Sequence, residues 1–558
     1  MNCTLGLDFG TESARAVLVD VACGEVLATA IHPYADGVID EALPGHDEPL
    51  PPDWALQNPD DWLAAVEALV PAVLARSGVA PDAVVGVGID FTACTILPTT
   101  ADGLPLCRLE AYRHHPHAWA KLWKHHGAQP QADRVNELAA ARGEPWLARY
   151  GGKISSEWLM PKALQLLEEA PDLYHAAGRI VEGGDWVAWQ LTGVLARNAC
   201  AAGYKATWHK TDGYPSPHFL AALHPALADL YTVKVAGPVV PPGQQIGGLR
   251  ADWAGRLGLV AGTPVAAPII DAHAAVLGGG VGGPGTMFMI MGTSTCHMLM
   301  AGREMQVEGI AGVVEDGIVP GYFGYEAGQA GAGDILAWFV EHGVPPAYHR
   351  EAADRGLSLH DLLTEKASAL RPGQSGLLAL DWWNGNRSTL VDAELSGLLL
   401  GCTLGTRAEE IYRALVEATA FGTRVIIEAF TGQGVPVGSV VCGGTLTRNP
   451  MLMQIYADVT NREMAVAGSD QVTALGAAML GAVAAGRSGG GYDSLTEAVA
   501  RMAPPPSRIY RPIAANLEPY NTLYAEYCRL YDYFGRGPNR VMKALRRLRK
   551  SCQMEKSH

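Results

Sequence analysis

Residues 5–20, LGLDFGTESARAVLVD, and residues 287–299, MFMIMGTSTCHML, write one short pattern twice, near the start and just past the middle of the chain. Each is an apolar run, a polar turn containing Gly-Thr, and a second apolar run, which reads as a β-hairpin. A pattern that opens both halves of a chain predicts two related units, each presenting one polar turn to a shared cleft. The first turn offers Gly10, Thr11 and Ser13, and the second Gly292 and Thr293. Backbone N–H groups at a glycine turn, with hydroxyls beside them, suit a phosphate. Asp8 closes the first apolar run, and a carboxylate next to a phosphate cradle suggests Mg²⁺. Ile290 stands at that place in the second copy. Taken alone, the first stretch is equally well an ordinary hairpin; the repeat favours the phosphate reading.

A chain of 558 residues exceeds what one core organises, so two large domains are expected. A net charge of −15 argues against a general nucleic-acid or anionic-membrane binder. Residues 536–558 are the exception, with eight Lys/Arg and one acid on a helical pattern. Such a tail suits a solvated face or an oligomer contact, including a possible homodimer. The ten cysteines are scattered without a CxxC pair, which fits a reducing cytosol. The N-terminus shows no signal-peptide pattern, and the longest apolar stretch, 260–291, is broken by Pro264, Pro268, Asp271 and His273. A soluble, cytoplasmic protein is expected.

Strands are expected at 24–30, 84–90 and 94–98, with a helix opening at Asp60 and Asp61. Three strands followed by helix and strand indicate a mixed α/β sheet; a parallel Rossmann sheet would alternate from the outset. Residues 116–232 read as mainly helical. Residues 263–271 form a strand ending on Asp271, whose side chain can cap the helix-like run after it. Domain limits are placed at 1–280, 281–515 and 516–558. In the second domain the strand 439–442 runs into Gly443-Gly444, Asn449 and a helix, an arrangement that faces anions or nucleotides. The small residues of 472–478 suit close helix packing, and a last helix is expected over 523–534.

With these pieces in order, the chain resembles the FGGY carbohydrate kinases, relatives of heat-shock chaperones and actin. The residues that carry the resemblance are Asp8-Phe9-Gly10-Thr11, Pro161-Lys162-Ala163-Leu164, the run GGDWVAWQLTG at 183–193, Asp271-Ala272-His273-Ala274, Gly292-Thr293-Ser294, and Gly443-Gly444 with Asn449. The resemblance implies an α/β fold of two duplicated ribonuclease H-like (actin/hexokinase-type) domains with mixed sheets flanking an interdomain cleft. It implies that Asp271 is the general base of phosphoryl transfer and that Asp8 handles Mg²⁺. It places Thr11, Ser13, Arg15, Gly292, Thr293, Gly443, Gly444 and Asn449 around ATP. Ala93, Lys205, Asp271 and Glu326 would contact the sugar.

Within the family, GIDFTACT at 88–95, HHPHAWAKLWKHH at 114–126, GYKATW at 203–208 and GYEAGQ at 324–329 resemble the branch that phosphorylates L-ribulose at its 5-hydroxyl. Other pentulose or pentitol kinases, and a nucleotide-driven switch of the actin or chaperone kind, are the alternatives. Neither a P-loop nor a GxGxxG turn between strand and helix is present. The histidines 114, 115, 117, 125 and 126 match no strong zinc spacing, and packing roles are expected of them.

Overall fold

The computed structural model describes residues 1–554. Period-two alternation in the first hairpin decides which way its residues face. In β1 (Cys3–Phe9), Leu5, Leu7 and Phe9 enter one apolar core, so Thr4, Gly6 and Asp8 face the other way. β1 pairs antiparallel with β2 (Ser13–Asp20), and β2 with β3 (Val26–Pro33). On its other side β1 runs parallel to β4 (Val84–Phe91). β5 (Gln245–Gly248), β6 (Pro264–Ala266) and β7 (Ile269–Ile270) complete a mixed sheet in the order β5-β6-β4-β1-β2-β3, with β7 also paired to β4.

The second hairpin seeds a second mixed sheet. β8 (Thr286–Met291), β9 (Thr295–Ala301), β10 (Gly312–Glu315), β11 (Phe323–Gln329), β12 (Ser439–Gly443), β13 (Met464–Val466) and β14 (Arg508–Tyr510) take the order β10-β11-β9-β8-β12-β13-β14. In both sheets the hairpin's second strand is antiparallel to the first, and the first finds a parallel partner, β4 or β12.

Around the sheets pack α1 (Pro59–Ser77), α2 (Gly183–Thr192), α3 (Asp271–Gly278), α4 (Ala408–Gly432), α5 (Pro450–Thr460), α6 (Val472–Ala485) and α7 (Ala514–Tyr531). Trp62 and Val66 of α1 and Trp186 of α2 cover one face of the first sheet. Phe421, Tyr456 and Tyr527 of α4, α5 and α7 do the same for the second, against Met287, Met289 and Met291. The other two faces share a central layer. There Ala274 and Val276 of α3 and Leu475 and Met479 of α6 join Val17 and Val19 of the first sheet with Phe288 and Met298 of the second.

α6 approaches the first sheet backbone to backbone. A Cβ on Gly88 would lie 1.8 Å from the carbonyl oxygen of Ala477, one on Gly86 2.1 Å from that of Gly481, and one on Gly6 2.1 Å from that of Ala474. The small-residue run expected to pack closely therefore does so across the middle of the molecule.

Four local expectations are corrected. The run near 94–98 does not join the first sheet: Ile96–Thr99 pairs with Arg179–Glu182 and Ala120–Lys121 in a separate four-stranded sheet, a pairing too distant in sequence to leave a local signal. That sheet also places short strands inside the stretch read as mainly helical. The third strand runs on to Pro33 because it follows β2 in register to Ser13. The helix expected over 523–534 as the last begins at Ala514, since buried Tyr520, Tyr524, Tyr527 and Tyr531 hold it along one side, and it is followed by one more.

The basic tail forms a helix, Val541–Met554, with Lys543 paired to Asp392; residues 555–558 lie outside the described residues. Among the described residues no helix is long and apolar enough to cross a membrane.

The glycine seat yields a stability test. Gly88→Val forces α6 off the sheet and is expected to cost about 1–3 kcal/mol or more, as overpacking does, read as a lowered midpoint of thermal unfolding. Gly255→Ala, in the helix Ala251–Leu257 with nothing within 4 Å of the added carbon, should instead hold or raise the midpoint. Equal midpoints for Gly88→Val and the parent would refute the close seating.

Candidate active site

The faces set by alternation carry three carboxylates to one place. Beyond Gly6 on β1 comes Asp8, and beyond Gly86 and Gly88 on β4 comes Asp90, on the face that seats α6. Asp8 and Asp90 are register partners, and Ile269 of β7 lies opposite Asp90 from the other side. Asp271 follows β7 directly. It is the first residue of α3 rather than its cap, which is Ile270; its Oδ1 accepts the N–H of Ala272 at 2.6 Å.

Their environments differ. Burial pushes Asp8 up against the lowering pull of Arg15, whose guanidinium donates to Oδ2 at 3.1 Å. Asp90 is wholly buried, neither of its oxygens has a hydrogen-bond partner, and burial with the charges of Asp8 and Asp271 drives it well above the carboxylate range. Burial, tempered by the Ala272 N–H and reinforced by Asp8, pushes Asp271 up to about 7.

A second group joins the two halves of the chain. Lys205, in the helix Ala199–Ala206, donates to Glu326 of β11 at 2.9 and 3.2 Å, and both side chains are buried. Burial opposes the charge on Glu326, but Lys205, then Arg387 and His273, bring it down to about 2. The same partnership outweighs burial at Lys205 and raises it. His273, pushed down to about 4 by burial, lies with Nε2 3.7 Å from Glu326 and its ring against Tyr204.

Ala93 follows β4, and its neighbour Cys94 holds a left-handed backbone (φ 57°). The buried Lys162 amine donates to the Cys94 carbonyl and to that of Leu122, each at 2.7 Å.

The two hairpin turns are closed alike: Gly10 N–H donates to Ser13 O at 3.0 Å, and Gly292 N–H to Ser294 O at 2.9 Å. The Thr11 hydroxyl accepts the indole N–H of Trp123 at 3.0 Å, and its carbonyl accepts from Gln57 at 2.7 Å. The Thr293 carbonyl accepts the N–H of Ala332 at 2.8 Å. Gly444 (φ 94°) abuts the end of β8, where a Cβ would lie 2.4 Å from Met291 O. Asn449 caps α5 through Leu452 N–H at 3.1 Å and donates to the Thr364 hydroxyl at 2.9 Å. Its side chain is thus engaged in the cap.

The histidines have their own pairings. His117 meets Glu169 at 2.9 Å and Lys121 at 3.0 Å, and His125 meets Gln165 at 2.9 Å. Among the described residues no three His, Cys, Asp or Glu side chains come together to hold a metal. What the site offers is Asp8 with Asp90 behind it. Mg²⁺ fits such a donor set, because it keeps several waters and takes one or two carboxylates plus phosphate oxygens.

Asp90 was open to detection, as a strand-end acid like Asp8 and Asp271. Arg387 was not: it lies in a Gly/Asn loop with no periodic signal.

Known proteins match the chain along nearly its whole length. The N-terminal domain of the FGGY family of carbohydrate kinases matches residues 3–278, and its C-terminal domain residues 287–485. A ribulokinase from Geobacillus thermodenitrificans is 55% identical over 554 residues, covering 99% of this chain and 98% of the relative. One from Halalkalibacterium halodurans is 55% identical over 547 residues, covering 98% and 97%. In fold, the chain is similar to the crystal structure of a xylulose kinase from Rhodospirillum rubrum, with a TM-score of 0.76 at 22% identity over 95% of this chain and 98% of the other. Both halves match and the relatives align end to end, so the chain belongs to the FGGY family of carbohydrate kinases.

Proposed function

We propose that the chain transfers the γ-phosphoryl group of ATP to the 5-hydroxyl of L-ribulose, giving L-ribulose 5-phosphate and ADP, in L-arabinose breakdown. Kinship along the whole length with proteins named ribulokinase supports the choice of sugar. The observation that carries the chemistry is Asp271, a carboxylate near neutrality at the junction of the two halves. Basicity near the working pH is what general-base catalysis favours, and Asp271 is raised toward it from the ordinary Asp range.

In this reading the two mixed-sheet units are ribonuclease H-like domains divided near residue 280, the first holding the sugar and the second the nucleotide. Lys205 donates to sugar oxygens, Glu326 accepts sugar hydroxyls, and the backbone at Ala93, held in place by Lys162, completes the wall. Thr11, Ser13 and Arg15 border the phosphates from the first turn, and Gly292 and Thr293 from the second. Gly443, Gly444 and the backbone of Asn449 border the nucleoside. Asp8 would hold Mg²⁺, which when bound supplies charge neutralisation on the transferring phosphoryl group. The turns belong to opposite sheets, so closure of the halves around both substrates excludes water from Asp271.

Asp271→Asn should lower kcat by about 10²–10⁴-fold, the usual worth of a general base, with little change in sugar affinity by calorimetry; undiminished turnover removes Asp271 as the base. In the parent, kcat/KM should climb with pH through about 7 and level off above it, because only the ionised carboxylate accepts the proton. A profile flat from well below that point contradicts the assignment. A coupled ADP assay across pentuloses and pentitols should rank L-ribulose among the best acceptors. A low rank for it would redirect the proposal to another pentulose.

A further inference from the structure

Glu326 has a third partner that the reading above leaves without a task. Its Oε1 accepts from Arg387 Nη2 at 2.9 Å and from Lys205 at 3.2 Å, while Oε2 takes Lys205 at 2.9 Å. Arg387 comes from the loop after Leu378–Leu380, and that loop is pinned to β11. The Ser388 hydroxyl accepts the N–H of Gly328 at 3.2 Å, and Asn386 Oδ1 accepts the N–H of Leu390 at 2.9 Å. Gly328 lets the arginine lie flat on the strand: a Cβ there would come 3.3 Å from Arg387 Cδ. Gly328 is the register partner of Cys296, two residues beyond the Ser294 that closes the second polar turn. Arg387 thus spans from the turn of the second sheet to the carboxylate that meets the first half of the chain.

We infer that Arg387 is a positioning residue of the sugar site: it fixes the Glu326 carboxylate in one orientation, so that Glu326 and the remaining Lys205 donor are held toward the sugar together. The inference rests on the proposed sugar contacts of Lys205 and Glu326. A guanidinium on Oε1 holds the carboxylate plane by a charge-assisted bond. Without it, the Lys205 ammonium, already bonded to both oxygens, is the only cation bonded to Glu326, and Oε1 loses the guanidinium that fixes it. Arg387 also shares the work of keeping a buried Glu ionised, since burial alone would neutralise it. The other ionisable groups around Glu326 are Lys205, Cys200 and Tyr204 from the helix Ala199–Ala206, His273 and Asp271 from α3, and Cys296 from β9; burial pushes both thiols and the Tyr204 phenol up.

The test compares Arg387→Gln, Arg387→Lys and Glu326→Gln in the full chain with L-ribulose and ATP. Arg387 has a side chain 37% exposed, so Arg387→Gln should fold, checked by its thermal midpoint. Loss of a charge-assisted bond should raise the KM for L-ribulose by roughly 10–100-fold, with the KM for ATP and kcat at saturating sugar within about threefold. Arg387→Lys, which keeps the charge, should fall between, and it serves alone if the Gln variant does not fold. In the parent, Glu326 lies at about 2 and adds no titration to the sugar KM in the assay range. In Arg387→Gln that KM should worsen as pH falls toward the ordinary carboxylate range, about 4–5, a limb that Arg387→Lys lacks. Asp271 and His273 titrate in every variant and cancel in the comparison. An unchanged sugar KM in Arg387→Gln, or a loss shared equally by kcat, overturns the inference. A Glu326→Gln enzyme with parental sugar KM instead removes the sugar-site reading itself.

Discussion

The structure depends on one close contact, the seating of α6 on the glycines of β1 and β4. A helix rests this near a strand only where no Cβ intervenes, and the alternation of Gly6 on one strand with Gly86 and Gly88 on the next clears a track for it. The chain must return from residue 472 to complete a sheet begun at residue 3. The core that results includes side chains from both sheets and from α3 and α6. Packing this close is intolerant of added volume. The same geometry puts the strand ends, with Asp8 and Asp90, just beyond the seated helix and at the junction of the two halves.

At that junction two screened carboxylates become unequal acids, and partners decide the difference. Glu326 is buried and Asp271 part-buried, yet Asp271 rises to about 7 and Glu326 falls to about 2. Asp271 has one backbone N–H for compensation and a neighbouring carboxylate that opposes its charge. Glu326 has an ammonium and a guanidinium at bonding distance. Titratable groups driven apart by their surroundings are what an acid–base site requires. Under the proposed function the split assigns their tasks: the group near neutrality moves a proton, and the permanently ionised one orients hydroxyls.

Much of this was legible in the sequence because its signals are local. The two hairpins, the strand-end acids Asp8 and Asp271, and the small-residue helix all follow from period, turn chemistry and side-chain size. The Lys205–Glu326 pair was reached only through family resemblance, and the structure brings the two into direct contact across 121 positions of sequence. What stayed hidden depends on pairing at a distance. Ile96–Thr99 leaves the first sheet because a strand at 179–182 claims it. Arg387 matters only because its loop is pinned under β11. Thr11 shows the converse: a turn hydroxyl that the sequence offers to a phosphate is already held by Trp123.

The two hairpins also differ where it counts. In the first sheet Asp8 faces Arg15 across the hairpin and Asp90 across the parallel pair. In the second, the residue at the same place, Ile290, faces Cys296 and Gly443. Three ionisable groups on one side are matched by an apolar side chain, a thiol and a bare backbone on the other. A carboxylate at Ile290 would stand beside the diglycine Gly443-Gly444 and repel any polyanion brought there, whereas a glycine lets a ligand approach the main chain. If the second sheet carries the nucleotide, its copy of the hairpin must lose the acid that the first copy must keep. Under the proposed function the two sheets would divide their labour by substitution at three registered positions, with cation handling left to the first half.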